Sequence, residues 1–343
     1  MKRVGFFGGK LLPFHLGHVY SIIKASTMVD ELYVVLSHSE KRDRELCAES
    51  NLSYIPGKMR LRWLSQLTKE MNNIKVVDVE DQDGNEDYDW KEGSLKIRKA
   101  IGREIDVVFS SETEYGPIFK ELYPEAQHIL IDEKREQVPI SGTEIREKGV
   151  FAYWDYIPDV SKPYFIKKVV ILGTESCGKS TLTKNLAHIY NTTYVKEYGR
   201  DYCEDLGGCD GIILEEDYPM IAYGHKLKEY EAIKHANKIV FIDTEAVVTQ
   251  FYSELYNQKH QTVLNEIARN QKYDLCLYLE PDVKWVDDGL RVHGQQKVRE
   301  ENNLRLKELL KENGMDFVSI GGTYQERLEK SIELIDRTLG IKV

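Results

Sequence analysis

Short apolar runs alternate with amphipathic stretches along the first half of the chain. The apolar runs predict strands at residues 4–7, 32–36, 74–79, 107–109 and 128–131, because short apolar runs bounded by turn residues fit buried strands. Apolar residues at helical spacing predict helices at residues 18–28, 58–71, 95–101 and 115–122. Such an alternation indicates a mostly parallel sheet with helices on both faces. The charged run at residues 40–45 is interpreted as a solvated loop.

The same alternation continues in the second half. It predicts strands at residues 169–172, 193–196, 238–244, 275–279 and 317–320, and helices at residues 181–190, 215–237 and 326–339. Residues 155–163 contain two prolines and no periodicity, which is typical of a domain boundary. A chain of 343 residues is long enough for two domains with separate cores. We therefore predict an α/β protein with two domains, residues 1–160 and 165–343, each a mostly parallel sheet flanked by helices.

Composition and charge narrow the class of protein. The net charge of −10 and the pI near 5.5 argue against general nucleic-acid binding, which needs a basic surface. The five cysteines form no C-x-x-C pair, so we expect reduced thiols and neither a disulfide framework nor a zinc site. No run is long and apolar enough to span a membrane, and the N-terminus enters a strand without a signal peptide. We therefore expect a cytoplasmic protein without membrane contact.

A phosphate-binding signature lies near the middle of the chain. The spacing G-x-x-x-x-G-K-S follows an apolar run and precedes a helical one, which is the context of a P-loop. Its glycines let backbone N–H groups surround a phosphate, its lysine points toward the β- and γ-phosphates, and its serine hydroxyl is placed to bind Mg²⁺. A glycine-rich turn that binds nothing does not explain the Lys-Ser pair. The predicted ATP-binding residues of this loop are Gly173, Ser176, Gly178, Lys179, Ser180 and Thr181.

Further polar residues of the second half fit a small kinase. Asp243 ends an apolar strand, as a carboxylate that holds Mg²⁺ beside a P-loop does; the alternative is an ordinary turn aspartate. Residues 285–299 are dense in polar and basic residues ahead of a helix, where small P-loop kinases carry a lid. A plain charged helix start is the alternative. No N-K-x-D motif for guanine is present, which argues against a translation-type GTPase.

The first strand is followed by a second phosphate-binding pattern. Gly8 and Lys10 precede His15 and His18, and Gly17 separates the two histidines at the start of a helix. Imidazoles at a helix N-terminus after a glycine-rich turn suit nucleotide phosphates. The alternatives are a metal pair, which lacks a third ligand nearby, or two surface histidines. The pattern H-x-G-H in this context resembles the signature of the nucleotidyltransferase superfamily, which has a Rossmann-like fold.

A third pattern closes the first half. Ser141 or Thr143 can cap a helix, and Arg146 lies one turn further, where its guanidinium can bind an oxyanion. The alternative is an ordinary helix cap with a surface arginine. Together with H-x-G-H, these residues resemble the second part of the ATP site of the same superfamily. Between the patterns lie Arg62 and Trp90; an exposed tryptophan there could stack on a pyridine ring, or it could be a core aromatic.

The union of these two halves resembles the bifunctional nicotinamide-mononucleotide adenylyltransferase / ribosylnicotinamide kinase proteins of bacteria, the NadR type. The resemblance runs through nearly the whole chain and includes residues 12–18, 60–63, 141–146, 197–200, 241–244 and 285–291. It implies a nucleotidyltransferase domain followed by a P-loop kinase domain. Some members of the family carry an N-terminal helix-turn-helix domain, whereas this sequence begins at the first strand, so we expect no direct DNA binding.

The resemblance implies two sequential reactions. The kinase half would phosphorylate nicotinamide riboside with ATP, and the transferase half would join the resulting mononucleotide to AMP from a second ATP, giving NAD and pyrophosphate. Both sites would need Mg²⁺, held in the kinase by Ser180 and Asp243. The implied catalytic residues are His15, His18, Lys179, Glu197, Asp201 and Arg291. The implied substrate-binding residues are Trp90, Arg62, Tyr198, Arg200, Trp285, Asp287 and Asp288.

Some choices stay open at the level of sequence. A hydroxyl nucleophile benefits from a carboxylate, and Glu197 and Asp201 are the candidates, with Asp243 favoured as the metal ligand; the sequence does not separate the roles of the three. The phosphate that attacks in the transferase is already an anion, so Lys10, His15, His18 and Arg146 would only position and stabilise charge. A kinase and adenylyltransferase pair for another riboside, or an NAD- and ATP-sensing regulator with weak catalysis, are the rival functions. The oligomeric state is undetermined.

Overall fold

A computed structural model describes residues 2–81, 89–208, 211–283 and 296–343. By its internal contacts the chain divides into two compact units, Met1–Lys162 and Pro163–Val343. Each unit is built around one five-stranded sheet whose strand pairs are all parallel. The predicted fold class, two parallel-sheet α/β domains, is therefore confirmed.

The first unit contains all five strands that the apolar runs predict. They are β1 (Val4–Gly9), β2 (Glu31–His38), β3 (Ile74–Glu80), β4 (Val107–Ser110) and β5 (Gln127–Leu130), in the order β3-β2-β1-β4-β5. The helices are α1 (Leu16–Ser26), α2 (Glu40–Ala48), α3 (Gly57–Thr68), α4 (Trp90–Ile101), α5 (Gly116–Leu122) and α6 (Gly142–Lys148). The chain order reverses at β1, and ligands bind beyond the carboxyl ends of strands at such a switch point. The loop after β1 therefore occupies the expected place for a ligand.

The charged run at residues 40–45 is a helix, so its interpretation as a loop was wrong. The side chain of Ser39 accepts a hydrogen bond from the N–H of Arg42 at 3.2 Å and caps α2. Asp43 turns inward from α2 and is fully buried, where its carboxylate pairs with Arg60 of α3. A buried acid with a partner from a distant helix is invisible to local charge patterning, because the pairing depends on tertiary contact.

The second unit also contains its five predicted strands. They are β6 (Lys167–Leu172), β7 (Tyr194–Val195), β8 (Ile239–Asp243), β9 (Leu275–Leu279) and β10 (Val318–Ile320), in the order β10-β9-β6-β8-β7. The helices, beginning with the short α7 at the boundary, are α7 (Lys162–Phe165), α8 (Lys179–Ile189), α9 (Tyr198–Leu206), α10 (Asp217–Lys234), α11 (Ala246–Asn257), α12 (Thr262–Arg269), α13 (Gln296–Glu312) and α14 (Tyr324–Leu339). Because β6 and β8 are neighbours in register, with Ile171 opposite Asp243, the loop after β6 and the end of β8 meet at one sheet edge.

Among the described residues, none of the helices is long and apolar enough to cross a bilayer.

Candidate active sites

The loop between β6 and α8 has the backbone shape of a phosphate-binding loop. Gly173 and Gly178 have φ values of 140° and 90°, in the region that glycine adopts readily. A Cβ on Gly173 would lie 2.7 Å from both the sulfur of Cys177 and the carbonyl oxygen of Leu279. On Gly178 it would lie 3.0 Å from the ring of Tyr324. Both glycines are therefore required by close approach as well as by backbone conformation.

Lys179 begins α8 and is almost completely buried. Burial acts to lower the pKa of its ammonium, but Cys177, Glu197 and Asp243 together outweigh burial and raise it. The ammonium donates a 2.9 Å hydrogen bond to the carbonyl oxygen of Thr174 within the loop. Lys179 is thus a fixed positive charge beside the N-terminus of α8, where an anion is favoured.

Asp243 ends β8 beside this loop, as the sequence predicts. Its side chain is 1% exposed, and neither carboxylate oxygen accepts a hydrogen bond within 3.5 Å from the described residues. Burial and then the negative charge of Glu197 raise its pKa to about 7, although Lys179 and Ser180 act to lower it. A buried carboxylate beside the hydroxyl of Ser180 is a donor set that suits a hard cation such as Mg²⁺.

A deep cleft opens from the phosphate loop into the second unit. Its volume is about 1110 Å³ including the open mouth, which is large enough for a nucleoside with phosphates. The cleft wall combines loop residues with polar and aromatic side chains from α9, α10 and α11. Those of its lining residues that bear on chemistry are Glu175, Ser176, Gly178, Lys179, Ser180, Thr181, Glu197, Arg200, His225, Tyr252 and Tyr256.

The residues predicted around α9 are only partly brought together. Glu197 and Arg200 line both the large cleft and a smaller adjoining cavity. Asp201 is exposed and lines the smaller cavity, which also contains Ser180 and Asp243. Tyr198 is different, because its ring packs on α10 in the place where a Cβ on Gly224 would fall. Of the two candidate carboxylates, only Glu197 faces the large cleft.

Four predicted residues of the lid segment, Trp285, Asp287, Asp288 and Arg291, lie outside the described residues.

The expectation that the cysteines are all reduced thiols is contradicted at Cys203, which is disulfide-bonded and lines the cleft. Spacing along the chain cannot show such a bond, because it depends on which side chains the fold brings together.

Sequence reasoning missed His225, which lies on α10 at the cleft wall. Its side chain is 4% exposed, and its Nε2 donates a 3.1 Å hydrogen bond to the carbonyl oxygen of Thr244. Burial lowers its pKa, so the ring is neutral and Nδ1 keeps its lone pair. Among the described residues this Nδ1 has no hydrogen-bond partner. No motif marks this residue, since a lone histidine in a helix carries no local signal.

His15 and His18 stack at the start of α1 in the first unit, with ring centroids 3.7 Å apart. Burial first, then the positive charges of Arg135 and Arg146, lowers the pKa of His15 to about 3. Burial, then His15 and the same arginines, lowers the pKa of His18 well below its usual value. Both rings are therefore neutral at pH 7. Arg135 is a neighbour that the sequence reasoning missed, because it belongs to no motif.

Backbone hydrogen bonds fix the tautomer of both rings. The N–H of Gly17 donates to Nδ1 of His15 at 3.1 Å, and the N–H of His15 donates to Nδ1 of His18 at 3.3 Å. Since a backbone N–H can only donate, each Nδ1 carries the lone pair and each Nε2 carries the proton. The pair therefore presents two neutral Nε2–H donors, which suit phosphate oxygens.

Only glycine fits at the third position of H-x-G-H, for a steric reason. A Cβ on Gly17 would lie 2.9 Å from both Cε1 and Nδ1 of His15. Any other residue would push the imidazole out of the position that its backbone hydrogen bond defines.

The residues that begin α6 lie close to this pair, as predicted. Arg146 donates a 2.7 Å hydrogen bond to the carbonyl oxygen of Leu12 and a 2.9 Å hydrogen bond to the hydroxyl of Thr143. A Cβ on Gly142 would lie 3.2 Å from Arg146 and 3.9 Å from Nε2 of His15, so the helix start, the arginine and the imidazole meet.

Ser141 serves α6 itself rather than offering a free donor. Its hydroxyl accepts from the N–H of Glu144 at 3.1 Å and donates to the carboxylate of Glu144 at 2.9 Å. The N–H of Ser141 donates to the same carboxylate at 3.0 Å, which completes a capping box, and the box occupies the hydroxyl that was expected to meet ATP. The exposed Thr143 hydroxyl is the better placed of the two.

Lys10 approaches the site from the end of β1, next to Gly8. Its ammonium lies 3.3 Å from the carboxylate of Asp43, and its carbonyl oxygen accepts a 2.6 Å hydrogen bond from Arg60. Arg60 is 1% exposed and also pairs with Asp43. This arginine, which the site prediction omitted, therefore anchors both the backbone and the side-chain partner of Lys10.

The two interpretations of a tryptophan in this unit, a core aromatic or a stacking face for a ring, apply to different residues. Trp63 is a core residue, while its neighbour Arg62 is exposed on α3. Trp90 begins α4, is half-buried, and packs in an aromatic cluster with the tilted ring of Tyr115 at 5.2 Å and edge-on with Phe119 at 6.2 Å. A half-buried aromatic cluster of this kind could receive a flat ring.

Among the described residues, no group of three or more His, Cys, Asp and Glu side chains could hold a metal ion.

These two sheets and their sites define the class of protein, a nucleotide-using enzyme with a nucleotidyltransferase unit and a P-loop unit. A cytidylyltransferase-like family model matches residues 6–148, and an AAA-domain model matches residues 168–327. The trifunctional NAD biosynthesis/regulator protein NadR of Escherichia coli is 38% identical over 99% of this chain and 84% of its own length. The corresponding protein of Salmonella typhimurium is 37% identical over the same shares. The chain belongs to the NadR family.

Solved structures agree with this membership. A crystal structure of NadR protein in complex with NR superposes with a TM-score of 0.82 at 26% identity, covering 100% of this chain and 98% of the other. A second, in complex with NAD and AMP-PNP, gives a TM-score of 0.81 at 25% identity with the same coverage. The resemblance seen in the sequence is therefore confirmed.

Proposed function

We propose that this chain makes NAD in two steps at two sites. The unit Pro163–Val343 phosphorylates nicotinamide riboside with ATP, and the unit Met1–Lys162 joins the resulting mononucleotide to AMP from a second ATP. Two phosphate-binding loops on two separate sheets are the observation that carries this proposal. The family relatives act in NAD biosynthesis, and related structures hold NR, NAD and AMP-PNP. The use of ATP at both sites supports a cytoplasmic location.

In the kinase, Lys179 and the N–H groups of the phosphate loop bind the β- and γ-phosphates. Ser180 and Asp243 would hold Mg²⁺, which would neutralise phosphate charge there. Glu197 lines the cleft beside Asp243, and its carboxylate orients the 5′-hydroxyl of the riboside and takes its proton. The hydroxyl oxygen then bonds to the γ-phosphorus and ADP leaves. Asp201, exposed at the smaller cavity, is less well placed for this role.

In the transferase, a phosphate oxygen of nicotinamide mononucleotide bonds to the α-phosphorus of ATP and pyrophosphate leaves. The nucleophile is already an anion, so the residues around it only position and stabilise charge. The Nε2–H donors of His15 and His18, the ammonium of Lys10 and the guanidinium of Arg146 contact the triphosphate. Trp90 and Arg62 contact the mononucleotide, and Trp90 contributes a stacking face for the pyridine ring.

The residues of the lid segment complete the kinase site in this proposal. Arg291 meets the transferring phosphoryl group, and Trp285, Asp287 and Asp288 contact the riboside together with Arg200. Tyr198 does not contact the substrate in this proposal and instead holds α9 against α10.

Variants that lose one of the two activities and keep the other test the proposal. Lys179→Ala should abolish phosphorylation of nicotinamide riboside and leave adenylylation of the mononucleotide unchanged, whereas His18→Ala should do the reverse. Each activity is measured alone, with its own substrate and Mg-ATP. Loss of both activities in either folded variant would contradict the two-site assignment. A panel of ribosides offered to the wild-type enzyme tests the substrate, and no turnover of nicotinamide riboside would exclude it.

A further inference from the structure

Thr244, which directly follows Asp243, has a backbone conformation that threonine rarely adopts. Its φ is 68°, in the left-handed region, where the Cβ of an L-residue crowds the following carbonyl oxygen. Among the described residues, Thr244 is the only β-branched residue with a positive φ. Such strain persists only where the surrounding contacts hold it, and it is found preferentially at functional sites.

Both backbone polar groups of Thr244 are held by neighbouring elements. Its N–H donates a 3.0 Å hydrogen bond to the carbonyl oxygen of Ile171 in β6. Its carbonyl oxygen accepts a 3.1 Å hydrogen bond from Nε2 of His225 on α10. Thr244 and His225 are both buried, so water competes little for the second bond. The strained turn is therefore fixed between the central strand of the sheet and α10.

The chain after Thr244 is fixed as well. The carboxylate of Glu245 accepts hydrogen bonds from two N–H groups in the first turn of α11, at 2.8 and 3.0 Å, and caps this helix. Because β8 ends at Asp243 and α11 begins at Ala246, only Thr244 and Glu245 remain for the change of direction. The left-handed residue lies at the first of these two positions.

Asp243 lies between the fixed strand and the strained turn. It is in register with Ile171 and shares a peptide group with Thr244. Since the cap holds the start of α11, relaxation of Thr244 to a negative φ has to move this peptide group and, with it, the side chain of Asp243. The conformation of Thr244 therefore sets the direction of the carboxylate that serves as the metal ligand in the proposed kinase.

We propose that His225 is a positioning residue of the kinase, which holds the strained turn at Thr244 and thereby the direction of the Asp243 carboxylate. This inference rests on the proposed metal site of the kinase, but not on the identity of the riboside. In this role His225 does not touch the reacting atoms. Residues that orient a metal ligand from outside typically change metal affinity by about 10- to 100-fold when they are replaced.

Mn²⁺ binding to the full chain, followed by electron paramagnetic resonance with a non-hydrolysable ATP analogue present, tests the inference. Asp243→Asn removes the ligand, so the difference between this variant and the wild type defines the Mn²⁺ bound at the kinase site. His225→Leu occupies similar space without a donor and should weaken that binding about tenfold or more. His225→Gln should retain most of the affinity, because its amide nitrogen lies as many bonds from Cβ as Nε2 does and also donates.

A second variant tests the strain itself. Glycine adopts the left-handed conformation without the steric penalty of threonine. Thr244→Gly in the His225→Leu background should therefore recover much of the lost Mn²⁺ affinity. His235→Leu is the matched control, because His235 lies at the end of the same helix and is exposed, and it should leave the affinity unchanged. Circular dichroism and the melting temperature confirm that each variant is folded.

Kinetics separate this role from direct contact with the substrate, since His225 also lines the cleft. In His225→Leu, the Mg²⁺ concentration that gives half the maximal rate should rise, while the KM for the riboside at saturating Mg²⁺ should change little. A raised KM for the riboside with unchanged Mn²⁺ affinity would overturn the inference and make His225 a substrate contact.

Two further results would also overturn it. The first is equal loss of Mn²⁺ affinity in His225→Leu and His225→Gln, and the second is no recovery with Thr244→Gly. Normal Mn²⁺ binding in His225→Leu, together with its loss in Asp243→Asn, would reject the inference and keep the proposed metal site. Full Mn²⁺ binding in Asp243→Asn would instead reject the metal site, and the inference with it.

Discussion

Arg327 of α14 donates a 2.5 Å hydrogen bond to the carbonyl oxygen of Cys177, inside the phosphate loop of the second unit. The same guanidinium donates to the carbonyl oxygens of Gly322 and Glu280, each at 2.8 Å, and pairs with Asp282. Arg327 is 2% exposed, so this cation lies inside the unit and meets acceptors on three chain segments. The last helix therefore fixes the curvature of a loop that lies 150 residues earlier in the sequence.

Arg327→Ala should lower kinase activity and the stability of the second unit. The variant leaves three carbonyl oxygens without this donor, the buried one of Cys177 among them, and losses of about 3 kcal/mol are typical of broken buried charge networks. ATP affinity of the kinase and urea unfolding measure the two effects. Arg337→Ala is the matched control, because Arg337 lies on the same helix and is exposed. Equal effects of the two variants would contradict a role for the buried contacts.

Gly17→Ala should reduce adenylyltransferase activity at least tenfold while the protein stays folded. The new methyl group would lie 2.9 Å from the ring of His15, so the imidazole must move away from the N–H of Gly17. Alanine is also a better helix former than glycine, so no large loss of stability accompanies the change. Steady-state assays of both activities measure the effect, with kinase activity as the internal reference.

Gly116→Ala is the matched control for that experiment. A Cβ at Gly116 would lie 3.7 Å from the ring of His128, which is ordinary van der Waals contact. This variant should keep both activities, and a comparable loss there would refute the steric argument at Gly17.

Acid should destabilise the protein partly through His15. Its pKa is about 3 when folded against 6.5 as the usual value, because burial and then Arg135 and Arg146 disfavour the charged ring. The unfolded chain therefore takes up a proton below pH 6.5 that the folded chain refuses. Stability from this group is complete above pH 6.5 and falls by about 1.4 kcal/mol per pH unit as the pH drops from 6.5 toward 3.

His15→Asn tests this pH dependence. Asparagine does not titrate, and its side-chain oxygen can still accept from the N–H of Gly17. Urea unfolding at pH 7, 6 and 5 should show a shallower fall in stability for the variant than for the wild type. Parallel curves would mean that His15 is protonated in the folded protein.

Asp43→Asn should destabilise the first unit by about 3 kcal/mol, because it leaves the buried guanidinium of Arg60 without its counter-charge. It should also lower adenylyltransferase activity, since Lys10 loses the carboxylate that lies 3.3 Å from its ammonium. Glu40→Gln on the same helix is the control. Glu40 pairs with Arg44 on the surface, where loss of a pair changes stability little. Urea unfolding distinguishes the two variants, and similar midpoints would refute the buried pairing.

The predictable part of the site consists of residues that belong to local motifs. Gly173, Lys179 and Asp243 were found because a loop pattern and a strand-terminal acid each lie within one short stretch. The structure brings these residues to one edge of the second sheet, next to the cleft. The part that escaped prediction consists of residues whose role comes from a distant neighbour. Arg60 and Arg327 look like surface arginines in their helices, yet both are buried cations that hold a loop.

By itself, the sequence determined the two α/β domains, their ten strands and the two phosphate-binding loops. These features follow from apolar periodicity and from motifs, which depend on residues within about a dozen positions of each other. Only the tertiary structure decided which polar side chains already have a partner within the protein and which can contact a ligand. It placed the hydroxyl of Ser141 in a cap and buried Asp43 against Arg60. It also left Met220, Tyr223, Leu227 and Tyr230 of α10 exposed, because only the packing of a helix decides which of its apolar positions are covered.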